Sequence, residues 1–356
     1  MVQFPGSTDQ LSNHGRRLEP AHVTKLLWRC PHCAGDLMLA SADRVICTAC
    51  ATMYPAVDGI PDLRLPRSSD AEPADLAEAR ALVSEFGESG PEGMISGLFA
   101  RRPWDAAAKA LRVRQTLASP NKLRPELEGW LGCCLVSDGL LLDIGCGAGG
   151  LLAAVAQMGY AGAGIDASMP LLVAAKRMIE AHGGTATLAC GFAESLPLAN
   201  ESVGAVTMYD MIEHVDDASH VIAEGCRVVR RGGHLAISTP NRFSIAAEPH
   251  VFLWGVGWLP RRLQEPYVRI RGRAYHGTRL LSTREMTRLL ESHDDLEFEL
   301  RVPPVPDEEI RHFGARRAAL ARLYNRVAAK PFSRAALLGV GPFFQVIARR
   351  LPASAE

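Results

Sequence analysis

The sequence has no apolar run near the length of about 18 residues that spans a bilayer, which argues against a membrane-spanning helix. Its first residues, "MVQFPGSTDQLSNHGRR", place no apolar stretch behind a basic start, so no secretory leader is read and a cytoplasmic location is expected. Excess charge of either sign is also missing. Lys+Arg and Asp+Glu both number 39, and a formal net charge of +0 argues against a surface that coats nucleic acid. No repeat or low-complexity tract is present. What remains is a chain of 356 residues, 47% hydrophobic and 22% charged. That describes a globular protein with room for roughly two domains of about 150 residues. Nine cysteines would suggest disulfides in a small secreted domain, but four fall in a metal-ligand pattern and the rest sit mainly in apolar or glycine-rich contexts. Reduced thiols are expected.

Those four lie in "CPHCAGDLMLASADRVICTAC". Cys30 with Cys33 and Cys47 with Cys50 form two C-x2-C knuckles, thirteen residues apart. Each knuckle converges two thiolates from one tight turn, and "DLMLA" with "RVICT" can form the hairpin that closes the set around tetrahedral Zn(II). Such a metal stabilises a module too small for its own core. The competing reading is a redox dithiol pair, which needs only one knuckle. The continuation "MYPAVDGIPDL" resembles the tail of small zinc-binding proteins of the Trm112-like family, over about 26–65. Members of that family activate or partner methyltransferases, so the resemblance implies the same chemistry for the rest of the chain. From Pro66 to about Glu92 the composition reads as a linker, before helical turns in "AAAKALRVRQTL" and "PELEGWLG".

The stretch "LLDIGCGAGG" reads as a buried parallel strand, a glycine turn and a helix start. Gly145, Gly147 and Gly149 let backbone pass close to a ligand. "LLAAVAQMG" is then a helix with a glycine C-cap, and "GAGIDAS" a second strand ending at Asp166, whose acid suits ribose hydroxyls. Dinucleotide enzymes share that much. The D-x-G-x-G-x-G pattern beginning at Asp143 resembles the first motif of class I S-adenosylmethionine-dependent methyltransferases. A carboxylate suits a sulfonium and an amino group and opposes a pyrophosphate.

"GFAESLPLANESVGAVTMYDMIEHVDD" and "VVRRGGHLAISTPNR" extend that resemblance over about 140–242. It implies a Rossmann-like α/β fold with a seven-stranded sheet and helices on both faces, preceded by the zinc ribbon. It also implies that Gly145 and Gly147 line the methionine part of S-adenosyl-L-methionine, Asp166 the ribose, and Ala193 and Glu194 the adenine, with Asp143, Gly149 and Tyr209 also at the cofactor. Phe192 stands where the family often has an acid, which leaves the adenine contact to backbone groups and ring packing.

In "YDMIEHV", Asp210, Glu213 and His214 fall at i, i+3 and i+4, which on a helical turn puts them on one face. Two carboxylates and an imidazole can hold Mg(II), or His214 can act as a general base. The pattern resembles the E-x-x-E-H of ubiquinone-biosynthesis O-methyltransferases and small-RNA 2′-O-methyltransferases, with Asp210 in place of the first Glu; His276 is comparable to a further histidine of the RNA enzymes. His250, in an apolar and aromatic run, is read as a packing or substrate-lining residue.

The boundaries read are a tail over 1–25, the ribbon over 26–66, linker and cap helices over 67–135, and the methyltransferase domain over 136–356 with insertions at about 243–281 and 302–340. The first insertion joins Phe252, Trp254 and Trp258 to Arg261, Arg262, Arg269, Arg271 and Arg273. That composition suits a hydrophobic acceptor with an anionic group, or peripheral membrane contact through 250–273. "LEFELRV" and "PFFQVIARR" read as strands six and seven around a helical segment. The expected activity is methylation of a small-molecule or lipid-linked metabolite at a hydroxyl. An rRNA or tRNA methyltransferase with a zinc finger, and a noncatalytic methyltransferase-like subunit, stay open as alternatives.

Overall fold

The computed structural model describes residues 27–64, 74–130, 139–185, 187–275, 277–311 and 313–352. Four short strands open it: β1 (Leu37–Ser41), β2 (Arg44–Cys47), β3 (Met53–Val57) and β4 (Ile60–Pro61), paired antiparallel in sequence order. This is the small sheet of a zinc ribbon. Helices α1 (Ala74–Phe86), α2 (Gly90–Ala100) and α3 (Ala106–Trp130) follow.

Two of these helices depart from the sequence reading. α1 forms where the composition suggested linker, because Leu76, Ala79 and Leu82 recur at helical spacing and are all fully buried. α3 fuses the two expected helical turns and runs through Pro120 and Pro125. A proline inside a helix removes a backbone donor and crowds the preceding turn. Burial of Leu123 and Leu127 against the next helix holds α3 together despite that cost.

The remaining elements are β5 (Leu141–Ile144), α4 (Gly150–Gln157), β6 (Gly162–Asp166), α5 (Met169–Ala181), β7 (Thr187–Cys190), β8 (Val203–Tyr209), α6 (Ala218–Val228), β9 (Val229–Pro240), α7 (Arg261–Ile270), α8 (Thr283–Glu291), β10 (Leu296–Arg301), α9 (Asp307–Arg311), α10 (Ala315–Ala328), α11 (Pro331–Val340) and β11 (Phe343–Arg350). The strands make one seven-stranded sheet, ordered β10-β11-β9-β8-β5-β6-β7. β5 pairs parallel with both β6 and β8, whereas β11 runs antiparallel between β9 and β10. The chain therefore leaves β5 toward one side and later returns to the other. Ligands of open α/β sheets bind at such a switch point, beyond the carboxyl ends of the strands.

Strand alternation divides the core. Leu142, Ile144, Leu235 and Ile237 face one side with Val221 and Ile222 of α6 and Met286 and Leu290 of α8. Leu141 and Ala236 face the other, with buried side chains of α1, α2, α4 and α5. Helices thus cover both faces.

The ribbon shares these cores. Trp28 is fully buried in the first cluster, and Val57 and Ile60 join the second. Emptying a buried tryptophan site costs about 3–5 kcal/mol, so the ribbon is packed as part of one body. Among the described residues no helix is long and apolar enough to cross a membrane.

Candidate active site

The glycine turn after β5 uses each glycine differently. Gly145 has φ 71° and its N–H donates to the Ile165 carbonyl at 2.8 Å; a Cβ there would lie 2.7 Å from that of Met211. Gly149 has φ 77°, and a Cβ would come within 2.9 Å of the Ala175 Cα, so its bareness lets α4 start against α5. Gly147 has φ 52° with nothing within 4 Å of the Cβ position. Its bare face looks into open space above the turn, where a ligand can approach the backbone.

Asp166 ends β6 beside that space. Its carboxylate accepts from the Gly147 N–H at 2.9 Å and the Ser168 N–H at 2.8 Å. Burial raises its pKa, and these donors oppose the rise. Asp143 lies beneath the turn, 2% exposed, and accepts from Thr207 Oγ1 at 2.7 Å. Burial pushes its pKa up to about 7 against the pull of Thr207, with the Asp166 charge adding to the rise. The loop after β7 completes this wall: the Gly191 N–H donates to the Asp166 carbonyl at 3.0 Å, and half-buried Phe192, Ala193 and Glu194 follow. Glu194 accepts from the Asp216 N–H at 3.3 Å. Tyr209 donates its hydroxyl to Glu126 of α3 at 2.9 Å, and Gln345 donates to the other oxygen of Glu126 at 2.6 Å.

The residues after β8 do not form the helical turn expected. Asp210 takes φ 49°, in the left-handed region, and only Ile212–His214 closes a single 3-10 turn. Asp210, Glu213 and His214 therefore diverge. The Asp210 carboxylate borders open space; protein packed on its other sides, with Glu213 and Glu126 nearby, pushes its pKa up. Glu213 turns inward, 0% exposed, with Oε2 accepting from Thr239 Oγ1 at 2.9 Å and Oε1 without a hydrogen bond. Met211 packs on Gly145, which sets the whole turn against the glycine loop.

His250 enters this cluster from the insertion after β9. Its Nε2 lies 3.8 Å from Glu213 Oε1, and its ring meets that of His214 edge to face at 4.8 Å. Nδ1 pairs with buried Glu248, whose carboxylate also accepts the backbone N–H groups of His250 and Val251 at 3.0 and 2.8 Å. Burial lowers the pKa of His214, assisted by the charge of His250. Burial likewise works against a charge on His250, but Glu248 and Glu213 outweigh it and the pKa rises. Ligand atoms of Glu213, His214 and His250 all lie within 4.8 Å of one another. The grouping thus takes in His250, read from sequence as a packing or substrate-lining residue, and leaves out Asp210. His276 lies outside the described residues.

The insertion is pinned at its base, where the Arg242 N–H donates to the Leu281 carbonyl at 3.0 Å. Val251, Val256, Val268 and Tyr275 give it a small core of its own. Phe252, Trp254, Trp258 and Ile270 stay exposed, beside exposed Arg262, Arg269, Arg271 and Arg273. Arg261 instead pairs with Glu285 at 2.7 Å.

In the ribbon, Cys30 and Cys50 Sγ are 3.7 Å apart, Cys33 and Cys47 Sγ 3.5 Å, and all four sulfurs lie within 4.8 Å of one another. Thiolates at tetrahedral Zn(II) with bonds of about 2.3 Å stand roughly 3.8 Å apart, so the set fits that ion. Gly35 is bare for the same reason: its Cβ would lie 2.7 Å from that of Ala49 and 3.0 Å from Cys47 Sγ.

A family model described as a methyltransferase domain matches residues 142–237. The chain is similar to a ubiquinone biosynthesis O-methyltransferase of Cereibacter sphaeroides, 30% identical over 202 residues that cover 54% of this chain and 75% of that one. A protein of the same name from Sinorhizobium medicae is 32% identical over 183 residues, 51% of this chain and 69% of that one. Among solved structures, an S-adenosylmethionine-dependent methyltransferase of Thermotoga maritima aligns with a TM-score of 0.42 at 18% identity, over 68% of this chain and 96% of that one.

Proposed function

Because the chain belongs to the class I S-adenosylmethionine-dependent methyltransferases, we propose that it methylates a hydroxyl oxygen of a small-molecule or lipid-linked metabolite. The observation that carries this reading is a neutral-leaning imidazole, His214, on a turn packed directly against the glycine loop. The curated relatives' naming as O-methyltransferases supports it.

The turn through Gly145 and Gly147 would cradle the methionine part of the donor, Asp166 the ribose, and Ala193 with Glu194 the adenine. The bound donor supplies an electrophilic methyl on a sulfonium. The protein's share is alignment and proton removal: an imidazole nitrogen of His214 takes the hydroxyl proton as the new oxygen–carbon bond forms and the carbon–sulfur bond breaks, the bonding pair staying on sulfur. Glu248 orients His250, and His250 holds the His214 ring edge to face. The exposed aromatics and arginines of the insertion suit an acceptor with an apolar tail and an anionic group, or one presented at a membrane surface.

A second reading places a divalent cation among Glu213, His214 and His250, favoured by the buried Oε1 of Glu213, which accepts no hydrogen bond. Two imidazoles and one carboxylate suit a borderline ion such as Zn(II) or Fe(II) better than the Mg(II) that the sequence leaves open beside a simple base. In the ribbon, Cys30, Cys33, Cys47 and Cys50 would hold one structural Zn(II).

Transfer of labelled methyl from S-adenosylmethionine to a lipid extract, a polar metabolite extract and total RNA tests the acceptor. An alkali-stable ether in either metabolite fraction is expected; label confined to RNA, or an N-methyl product, overturns the reading. Activity resistant to chelator but lost in His214→Ala favours the simple base. Loss in chelator, restored by a divalent ion, favours the metal.

A further inference from the structure

We propose that Arg64, where the chain leaves the ribbon, is a positioning residue for the methyl donor: through it the ribbon sets the loop that carries Asp166. This rests on the reading of Asp166 and the loop after β7 as the adenosine wall.

Arg64 is spent on three partners. Its Nε and Nη2 donate to the two oxygens of Asp62, both at 2.7 Å. Its Nη groups donate to Asp75 of α1 at 2.9 and 3.1 Å. Nη1 also donates to the Ala167 carbonyl at 2.9 Å, one residue past Asp166. The guanidinium side chain is 11% exposed, so these are sheltered, charge-assisted bonds of the stronger kind. Asp75 accepts the Met169 N–H at 3.2 Å, while Asp166 accepts that of Ser168 at 2.8 Å. In the short turn between Asp166 and α5, the Ala167 carbonyl is thus held by Arg64, the Ser168 N–H by Asp166 itself and the Met169 N–H by the arginine's own partner.

The ribbon grips the second loop of the wall as well. Asp62 bridges to Cys190 in parallel register, and the Leu63 N–H donates to the Cys190 carbonyl at 2.7 Å. At the loop's far end the Arg29 N–H donates to the Pro197 carbonyl at 2.7 Å. The ribbon's entry and exit therefore clasp the two ends of the segment that carries Ala193 and Glu194. A merely docked module has no need to touch the ribose turn and both ends of the adenine loop. A brace does.

Arg64→Lys keeps the charge and loses the fork. Expected is a roughly tenfold rise in the Kd for S-adenosylhomocysteine by calorimetry and in KM for S-adenosylmethionine, with kcat and acceptor KM unchanged. Arg177→Met is the control, since Arg177 ties the ribbon's Asp58 to α5 at 3.0 Å without reaching the ribose turn. It should lower Tm while leaving both constants alone. Equal weakening by both variants, or an unchanged Kd in Arg64→Lys, overturns the brace. Should Arg64→Lys fail to fold, Asp75→Asn decides by the same constants, because it loosens the Met169 contact with Arg64 still in place. Asp166→Asn run in parallel separates the two ideas: an unchanged Kd there refutes the adenosine wall, whereas weakening there without weakening in Arg64→Lys refutes the brace alone.

Discussion

The rings of His214 and His250 meet edge to face, their centroids 4.8 Å apart and their planes at 89°. One sits on the turn after β8 and the other on the insertion after β9, so the pair couples the core of the domain to its cover. Their opposed pKa shifts make the contact measurable. The acid limb of kcat/KM is expected below the ordinary histidine value of about 6.5, because the base must be neutral and burial, with the neighbouring charge, favours that form. His250→Gln removes that charge and should move the limb upward. His214→Ala should lower kcat roughly 10²–10⁴-fold with cofactor affinity intact. Full activity in His214→Ala would rule out an imidazole base.

Asp143 predicts a pH dependence of stability. Its folded pKa of about 7 lies above the unfolded value of about 3.9, so the folded state binds the extra proton between them. That contribution is fully present below about pH 4 and is lost as pH rises through 7. Asp143→Asn still accepts from Thr207 and has no proton to lose. Tm measured at pH 5 and pH 8 should fall less for the variant than for the parent; parallel curves would mean that Asp143 is ionised throughout.

Gly147→Ala and Gly149→Ala should separate binding from folding. At Gly147 the added methyl enters open space with only the cost of a left-handed φ, about 1 kcal/mol, and should weaken S-adenosylhomocysteine binding with a small change in Tm. At Gly149 it meets the Ala175 backbone at 2.9 Å and should lower Tm sharply. Equal Tm losses would place both glycines in packing alone.

For the ribbon, purified protein should hold about one Zn(II) per chain, lost when both cysteines of either knuckle become serine. Gly35→Ala should reduce zinc retention although it alters no ligand, because its methyl drives into Ala49 and Cys47 Sγ. Elemental analysis and thermal melting check both.

Legibility followed range along the chain. The two knuckles, the glycine turn and the strand that ends at Asp166 are legible because each is a pattern of a few neighbouring residues. The turn after β8 misled, since i, i+3, i+4 spacing implies one face only if the backbone is helical, and Asp210 at φ 49° breaks it. His250 was missed as a partner of Glu213 because the chain between them passes through α6 and β9 before the insertion folds back. No local spacing records that meeting. One signal was available: Glu248 two residues before His250, a carboxylate inside an apolar run that needs a buried partner.

The bridge from Asp62 to Cys190 has a colloidal consequence. β7 is the last strand of the large sheet on its side, and it is the strand the ribbon meets. An open strand edge is a template for pairing with other molecules. Cutting the chain just after Leu63 would bare that edge, together with the apolar surface on which Trp28 and Leu63 pack. The shortened protein should retain its motifs and still be lost to aggregation, so the ribbon guards solubility at one rim of the sheet.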